Sequence, residues 1–156
     1  MTDFTIRPAT AADGPAARAV VFPVLEAYGL KPEPDGTDAD LFDLEGAYRA
    51  CGGAFFVVVD GAGLVVGTCG LKPIAEGIVE LRKMYLSPAV RGQGLGRRLL
   101  EYAIAEAKAR GFRRMELETA SPLVEAIALY RSRGFSPRCG AVETKRCDQA
   151  FFLDLA

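Results

Sequence analysis

The sequence contains no histidine. This absence excludes Ser-His-Asp and Cys-His mechanisms, together with the zinc centres that depend on imidazole ligands. A general base must therefore be a carboxylate, a tyrosine, a lysine, a cysteine or a water. Cysteine is also scarce, since only four are present and no two have C-x-x-C spacing. We interpret them as reduced thiols and predict no metal site, and the sequence leaves open whether Cys139 pairs with Cys147.

Long apolar runs are missing as well. No stretch approaches the ~20 consecutive apolar residues that a membrane-spanning helix needs. The first ten residues, MTDFTIRPAT, lack the basic and apolar regions of a secretory signal. We therefore predict a cytoplasmic protein with no membrane contact. The 156 residues, of which 50% are apolar and 25% charged, predict one soluble domain spanning residues 1–156.

A strong net charge is absent, because 19 lysines and arginines nearly balance 20 aspartates and glutamates. This near neutrality argues against nucleic-acid binding, which favours a continuous basic surface. The charge is nevertheless uneven. Residues 1–80 carry 5 basic and 12 acidic side chains, whereas residues 81–156 carry 14 basic and 8 acidic ones. This asymmetry predicts an anionic partner for the second half.

The pattern of apolar residues and turn signals predicts the element order β-α-α-β-β-β-α-β-α-β, which is a mixed α/β fold. A capping pair, Thr10 and Asp13, predicts the start of a first helix that ends near Gly29, and Pro23 within it should end or kink it. The segment ADLFDLEGAYRACGG predicts a continuous second helix. A third helix is expected over about 95–110, and a fourth should begin with Ser121 as its N-cap.

A glycine-rich segment, VRGQGLGRRLLEYA, begins at Val90 and leads into the third predicted helix. It matches neither the P-loop, G-x-x-x-x-G-K-[S/T], nor the dinucleotide fingerprint, G-x-G-x-x-G, because its third glycine comes one residue too early. Glycines leave backbone N–H groups accessible, and the N-terminal end of a helix carries a partial positive charge. Arg91, Arg97 and Arg98 add basic charge. The segment therefore predicts a phosphate-binding loop.

The spacing R-x-x-G-x-G, from Arg91 to Gly96, resembles the pyrophosphate loop of the GNAT superfamily of acyl-CoA-dependent N-acyltransferases. Two longer segments resemble the same family, ELRKMYLSPAVRGQGLGRRLL and LETASPLVEAIALYRSRGF. The resemblance implies a GNAT-type mixed, mostly antiparallel sheet flanked by helices, with a splayed pair of parallel strands that binds CoA. It also implies acetyl-CoA as the cosubstrate, and no metal.

The resemblance further implies which residues bind coenzyme A. The loop backbone is expected to bind the pyrophosphate, and its residues are Arg91, Gly92, Gln93, Gly94, Gly96 and Arg97. Unpaired backbone groups of Met84 and Leu86 are expected to bind the pantetheine arm, because an amide of the cofactor can replace a strand partner. The Leu86 amide would stabilise the oxyanion that develops on the thioester. Alternation along the strand predicts that Glu80, Arg82, Met84 and Leu86 share one face.

The resemblance also implies a catalytic role for two residues. Tyr130, in the segment AIALY, would protonate the departing thiolate, although its position also suits a core aromatic. Glu80 would take the proton from the substrate amine, directly or through water. An ion pair of Glu80 with Arg82 or with a charge on a neighbouring strand is an equally weighted interpretation. Glu118 and Glu45 are weaker candidates for the base.

The predicted function is transfer of an acetyl group from acetyl-CoA to a primary amine of a small molecule, by direct attack in a ternary complex. Residues 22–50 are acidic, and residues 138–150 contain Arg138, Lys145 and Arg146. This combination suits an amino acid or a polyamine-like molecule. Three alternatives stay open: a non-catalytic sensor of acyl-CoA, a nucleotide-binding regulator, and an acetyltransferase acting on a protein amine. A homodimer is compatible with the resemblance.

Overall fold

The computed structural model describes residues 3–155. Its strands are β1 (Thr5–Pro8), β2 (Ala54–Val59), β3 (Val65–Ala75), β4 (Ile78–Leu86), β5 (Arg114–Thr119), β6 (Ser136–Pro137) and β7 (Gln149–Asp154). Its α-helices are α1 (Gly14–Ala27), α2 (Leu44–Ala47), α3 (Leu95–Ala109) and α4 (Val124–Arg133). Short 3-10 turns lie at Ala11–Asp13, Ala39–Phe42, Arg49–Cys51 and Pro88–Val90. No helix within residues 3–155 has the length and apolar character to cross a membrane.

The seven strands form one sheet in the order β1-β2-β3-β4-β5-β7-β6. Every neighbouring pair is antiparallel except β4–β5, which is parallel. On one side, which we call the α3 face, α3 and α4 pack over Phe56, Leu81 and Met115. On the other side, the α1 face, α1 and α2 pack over Phe55 and Val57. The predicted mixed, mostly antiparallel fold class is confirmed.

The first helix does not end at Pro23, because α1 continues for a further turn to Ala27. A proline in a helix interior costs about 3 kcal/mol relative to alanine. Val21 and Leu25 stand on either side of Pro23 and are fully buried. Burial of one such side chain stabilises by about 1.5–3 kcal/mol. Packing of α1 on the sheet therefore offsets the local penalty of the proline.

The predicted continuous second helix is wrong, because residues 39–51 form three short helical pieces. Acidic side chains in this segment bind groups that a continuous helix would not offer. Asp43 accepts a hydrogen bond from the Gly46 amide at 2.9 Å, and Asp40 pairs with Lys83 at 3.1 Å. Polar contacts of this kind compete with helical hydrogen bonding, so the helix is interrupted.

The fourth helix begins at Val124, later than an N-cap at Ser121 predicts. Ser121 instead binds the segment before β7. Its amide donates to one carboxylate oxygen of Asp148 at 2.9 Å, and its hydroxyl donates to the other. A partner distant in the sequence has therefore replaced the local capping interaction.

The predicted capping pair forms at the 3-10 turn Ala11–Asp13, which leads directly into α1. The Asp13 carboxylate accepts a hydrogen bond from the Thr10 amide at 2.7 Å and pairs with Arg7 at 2.8 Å. The Arg7 guanidinium holds the pKa of Asp13 below its ordinary value of 3.8. A carboxyl group with a lowered pKa stabilises the fold above its ordinary pKa, and this stabilisation is lost as the pH falls through the lowered value.

We expect Asp13→Asn to lower the free energy of unfolding by about 1 kcal/mol near neutral pH, a loss typical of one cap, since Arg7 is partly exposed. The difference from the wild type should shrink as the pH falls below 3.8. Urea denaturation at a series of pH values measures it. Asp154→Asn, at the exposed end of β7, is the control and should change little. An equal loss at neutral and acidic pH would contradict the role of the Asp13 charge.

Candidate active site

The parallel strands β4 and β5 pair only at their first residues, 78–80 with 114–116. Beyond Glu80 they separate, because β4 continues along β3 to Leu86 while β5 stays paired with β7 over its whole length. The second half of β4 therefore faces a gap in the sheet. This confirms the predicted splayed pair of parallel strands.

An extra residue interrupts the regular pairing of β4. Arg82 lies opposite Gly70 of β3, but the next pair is Tyr85 with Thr68. Two residues of β4 thus stand where β3 has one, which is a β-bulge. Lys83, within the bulge, has a φ of +52°, in the left-handed region that side chains rarely adopt.

The bulge places Glu80 and Arg82 on a different face from Met84 and Leu86. Met84 and Leu86 pack against the apolar cluster of the α3 face, and so does Leu81. Because Leu81 lies between Glu80 and Arg82, these two side chains point to the opposite face. The prediction that the four residues share one face is wrong, since the extra residue resets the alternation.

The end of β4 turns its backbone towards the gap. Ser87 donates its amide hydrogen to Val66 of β3 at 2.8 Å. Amides alternate sides along a strand, so the Leu86 amide points away from β3 and into the gap. The Leu86 carbonyl accepts hydrogen bonds from Arg91 Nε and Nη2 at 3.2 and 3.0 Å. Arg91 also donates to the Tyr28 hydroxyl at 3.3 Å, so its side chain borders the gap.

The glycine loop leads directly into α3, whose N-cap is Gly94. Gly92 and Gly94 have φ values of +78° and +76°, a conformation that favours glycine. A Cβ at either position would meet no atom within 4 Å. The space over the loop is therefore open, and the first turn of α3 adds a partial positive charge. These features fit a diphosphate group.

The two arginines that follow the loop reach different parts of the fold. Arg97 donates to the Ser132 hydroxyl of α4 at 3.0 Å. Arg98 donates to the Phe4 carbonyl at 2.9 Å. Arg97 therefore stays beside α4, which borders the gap, whereas Arg98 turns towards the N-terminal side of β1.

Two cavities meet at the gap. The outer cleft, of about 230 Å³, is lined by residues that include Tyr28, Leu86, Gly92, Gly96, Glu125 and Leu129. The inner cavity, of about 90 Å³, is lined by residues that include Glu80, Arg82, Glu118, Tyr130, Arg146 and Cys147. Four residues line both, namely Met84, Tyr85, Leu123 and Ala126. The outer cleft thus extends from the glycine loop to the gap, and the inner cavity adjoins it there.

Tyr130 reaches the inner cavity from α4. It is 6% exposed, and its ring packs against Phe135 with the centroids 5.6 Å apart. Burial raises the pKa of the Tyr130 phenol. The phenol is therefore protonated at neutral pH and can donate a proton or a hydrogen bond into the cavity.

Glu80 lines the same cavity from β4, so the structure brings the two implied catalytic residues together. Its carboxylate lies 2.6 Å from Arg82 Nε, and its side chain is 18% exposed. Burial raises the pKa of Glu80, Arg82 opposes that effect, and the neighbouring charges of Glu118 and Glu143 add to it. The Glu80 carboxylate therefore forms the ion pair with Arg82 and also has a pKa above the ordinary value, so the two interpretations of Glu80 are compatible.

The weaker candidates for the base differ from Glu80. Glu118 accepts hydrogen bonds from the Glu143 and Thr144 amides at 2.8 and 2.9 Å. Burial opposes ionisation of Glu118, but these amides outweigh it and lower its pKa. Glu45 is exposed, lies 3.6 Å from Arg49, and lines neither cavity. Glu118 therefore holds a proton less readily than Glu80, and Glu45 lies outside the site.

A family model described as the acetyltransferase (GNAT) family matches residues 20–135. The match includes the separated strands, the glycine loop and Tyr130. The chain belongs to the GNAT acetyltransferase family. It is accordingly an acyltransferase that depends on acetyl-CoA.

Individual relatives of this GNAT enzyme agree with the family assignment. The uncharacterized N-acetyltransferase YjgM of Escherichia coli K12 is 42% identical over 135 residues, which are 83% of this chain and 80% of that protein. An acetyltransferase of the GNAT family from Staphylococcus aureus Mu50 shares the fold, with a TM-score of 0.92 and 19% identity over 99% of this chain and 100% of that one. The structure of yncA from Salmonella typhimurium contains its cofactor acetyl-CoA and has a TM-score of 0.73 and 26% identity, over 99% and 95% of the two chains. The yncA structure supports acetyl-CoA as the cosubstrate.

The basic residues expected near the acceptor of this GNAT enzyme are largely paired within the protein. Arg146 donates to both carboxylate oxygens of Asp38, each at 2.7 Å. Arg138 lies 3.2 Å from Glu116. Lys145 is exposed. Arg146 thus pairs with the acidic segment 22–50, whereas Arg138 pairs with β5.

Two residues that line the candidate site of this GNAT enzyme were not predicted from the sequence. Tyr85 lines both cavities, and burial raises its pKa to about 12. Its position between Met84 and Leu86, which were predicted to bind the cofactor, could have indicated that Tyr85 lies at the site. Cys147 lines the inner cavity, and burial raises its pKa to about 11. The four cysteines are free, so Cys147 forms no disulfide with Cys139.

Proposed function

We propose that this GNAT enzyme transfers the acetyl group of acetyl-CoA to a primary amine of a small molecule, of the amino-acid or polyamine-like class, by direct attack in a ternary complex. The observation that supports this proposal is the meeting of two cavities at the gap between β4 and β5. A donor in the outer cleft and an amine in the inner cavity would meet at Met84, Tyr85, Leu123 and Ala126. Direct transfer requires such a common point.

In this proposal the chain holds the donor mainly through backbone groups. Acetyl-CoA, when bound, supplies the activated thioester. The diphosphate would be bound by the amides of the glycine loop, with Arg91, Gly92, Gln93, Gly94, Gly96 and Arg97 as its residues. The backbone of Met84 would bind the pantetheine arm. The Leu86 amide, which points into the gap, would donate to the thioester oxygen and stabilise the charge that develops there.

Two side chains would divide the proton transfers. Glu80 would accept a proton from the amine nitrogen, directly or through water, because an ammonium has no lone pair with which to attack. As the new N–C bond forms and the C–S bond breaks, Tyr130 would donate its phenolic proton to the departing sulfur. The phenol carries this proton at neutral pH, and because burial raises the pKa of Tyr130, donation would accompany the build-up of negative charge on the sulfur. Glu80 would pass the first proton to solvent and then accept the second proton that the nitrogen loses as the amide forms. Transfer of this second proton from Glu80 to the Tyr130 phenolate would restore the enzyme.

Release of the CoA thiol with a panel of small amines tests the proposed function. Turnover with at least one small amine supports it. Acetyl-CoA binding without turnover on any amine would favour a sensor, and turnover confined to peptide amines would favour a protein substrate. A ligand specific for the native state raises apparent thermal stability. A larger thermal shift with NAD or ATP than with CoA would therefore favour the nucleotide-binding regulator.

We expect Glu80→Gln to lower kcat by up to about 100-fold, since glutamine has a similar shape but cannot accept the proton. In the wild type, kcat should rise with pH as Glu80 ionises, with a midpoint above the ordinary value of 4.5. This rise should disappear in the variant, and pH profiles of kcat measure it. Glu45→Gln, at an exposed carboxylate outside both cavities, is the control. A retained rise in Glu80→Gln would assign the proton transfer to another group.

A further inference from the structure

Arg146, which lines the inner cavity from the segment before β7, already forms an ion pair within the protein. Arg146 donates to both oxygens of Asp38 at 2.7 Å, and Asp38 is 0% exposed. The two residues are 108 positions apart in the sequence, so this pair joins the segment after α1 to the segment before β7. A two-point, charge-assisted contact of this kind is strong. It uses the same N–H groups with which a guanidinium would bind a substrate carboxylate.

The lysine of the β-bulge is neutralised by the same segment. Lys83 Nζ lies 3.3 Å from Asp38 and 3.1 Å from Asp40, and it donates to the Thr37 carbonyl at 3.0 Å. The Lys83 and Asp40 side chains are 5% and 7% exposed. We call Asp38, Asp40, Lys83 and Arg146 the charge cluster. Its two carboxylates balance its two cations.

The remaining charges of the inner cavity also favour a positive or neutral ligand. Arg82 is the other cation that lines the cavity, and it pairs with Glu80 at 2.6 Å. Two further carboxylates, Glu118 and Glu143, lie close enough to raise the pKa of Glu80. A substrate carboxylate would therefore have to displace an internal ion pair, and it would also meet like charges. Like-charge contacts of this kind discriminate between otherwise similar ligands.

We infer that the inner cavity selects amines that carry no carboxylate, and that Asp38 sets this selectivity by neutralising Arg146. The inference rests on the proposed function and narrows its acceptor class from amino acids to polyamine-like molecules and other simple amines. Asp38 acts through Arg146 and is a specificity-determining residue that positions the guanidinium away from the substrate. An ammonium or an uncharged chain would enter the cavity without disturbing the charge cluster.

Matched pairs of amino acids and their decarboxylated amines test this selectivity directly. The pairs are arginine and agmatine, lysine and cadaverine, tyrosine and tyramine, and phenylalanine and phenylethylamine. For the wild type, kcat/KM of the preferred amine should exceed that of its amino acid by about tenfold or more, the size of one lost charge-assisted contact. An amino acid that is acetylated as efficiently as its amine would overturn the inference.

The variant Asp38→Asn tests the role of Arg146, because asparagine keeps the shape of aspartate but removes its charge. We expect the ratio of kcat/KM for the amino acid to that for the amine to rise about tenfold, with an unchanged Kd for acetyl-CoA. The double variant Asp38→Asn/Arg146→Gln should return the ratio to the wild-type value. Glu106→Gln, which breaks an exposed ion pair with Arg110 on α3, is the matched control. A merely structural role would lower both rates together, and an unchanged ratio would overturn the inference.

Equilibrium binding keeps the test valid if Asp38→Asn does not fold. Each compound of a pair is titrated into the wild-type protein saturated with CoA. Tighter binding of the amine supports the inference, whether or not turnover follows. Tighter binding of the amino acid overturns it but leaves the proposed function intact. If no compound of any pair binds or is acetylated, the inference fails, and the wider amine panel decides the small-molecule function separately.

Discussion

Gly94→Asp is expected to abolish detectable binding of acetyl-CoA, a loss of at least about 100-fold in affinity. The new carboxylate would lie at the N-cap of α3, where the loop amides are proposed to bind the diphosphate. It would repel the diphosphate, and it would compete for the same amides, since aspartate readily accepts hydrogen bonds from the first turn of a helix. Isothermal titration calorimetry with acetyl-CoA measures the loss.

Gly111→Asp separates this effect from backbone strain. Gly111 follows the opposite end of α3 and has a φ of +88°, close to the +76° of Gly94. A Cβ at either position meets no atom within 4 Å. Both variants should therefore fold, with similar modest losses of thermal stability, and only Gly94→Asp should lose the ligand. Normal acetyl-CoA binding by Gly94→Asp would reject the loop as the diphosphate site, and equal loss in both variants would point to a distorted α3.

Tyr130→Phe is the second substitution with a large expected effect. It should lower kcat by about 100-fold or more, because a positioned acid contributes about 10²–10⁴-fold to a rate. Phenylalanine keeps the ring that packs 5.6 Å from Phe135 and removes only the hydroxyl. The affinity for acetyl-CoA and the thermal stability should therefore stay close to the wild-type values. Single-turnover rates are the appropriate measurement, since slow product release can mask a chemical step.

Two further tyrosine variants accompany this experiment, one as a control and one as a test of an alternative acid. Tyr102→Phe should have no effect on turnover, because Tyr102 packs against Phe56 outside both cavities. Tyr85→Phe tests the second phenol of the inner cavity, which also lines the outer cleft. An unchanged single-turnover rate in Tyr130→Phe would remove Tyr130 as the acid. A loss confined to Tyr85→Phe would transfer that role to Tyr85.

The elements that could be predicted are those whose signals lie within a few residues. α3 spans Leu95–Ala109, close to the prediction of about 95–110, because its apolar stripe and its flanking glycines are local. The capping pair of Thr10 and Asp13 also involves neighbours in the sequence. The predictions of the second and fourth helices were less accurate, because contacts with residues distant in the sequence decide where these helices begin and end. Asp40 and Ser121 bind partners that lie 43 and 27 residues away.

The candidate site could be predicted only in part from the sequence, for a related reason. The glycine loop and Tyr130 could be predicted because each belongs to a motif of consecutive residues. Both motifs lie within the segment that the family model matches. The bulge at Lys83 has no such signal, since a lysine rarely adopts a φ of +52° and does so here within the packed sheet. That single extra residue decides which face Glu80 and Arg82 occupy.

By itself, the sequence determined the family, the order of most elements and a helix N-terminus with open amides. These depend on hydrogen bonds and packing between close neighbours in the chain. Only the tertiary structure decided how far β4 and β5 separate, which face Glu80 occupies, and that Asp38 neutralises Arg146. The reason is physical: the energy of a buried charge depends on whether folding brings an opposite charge beside it, and no local pattern records that distance.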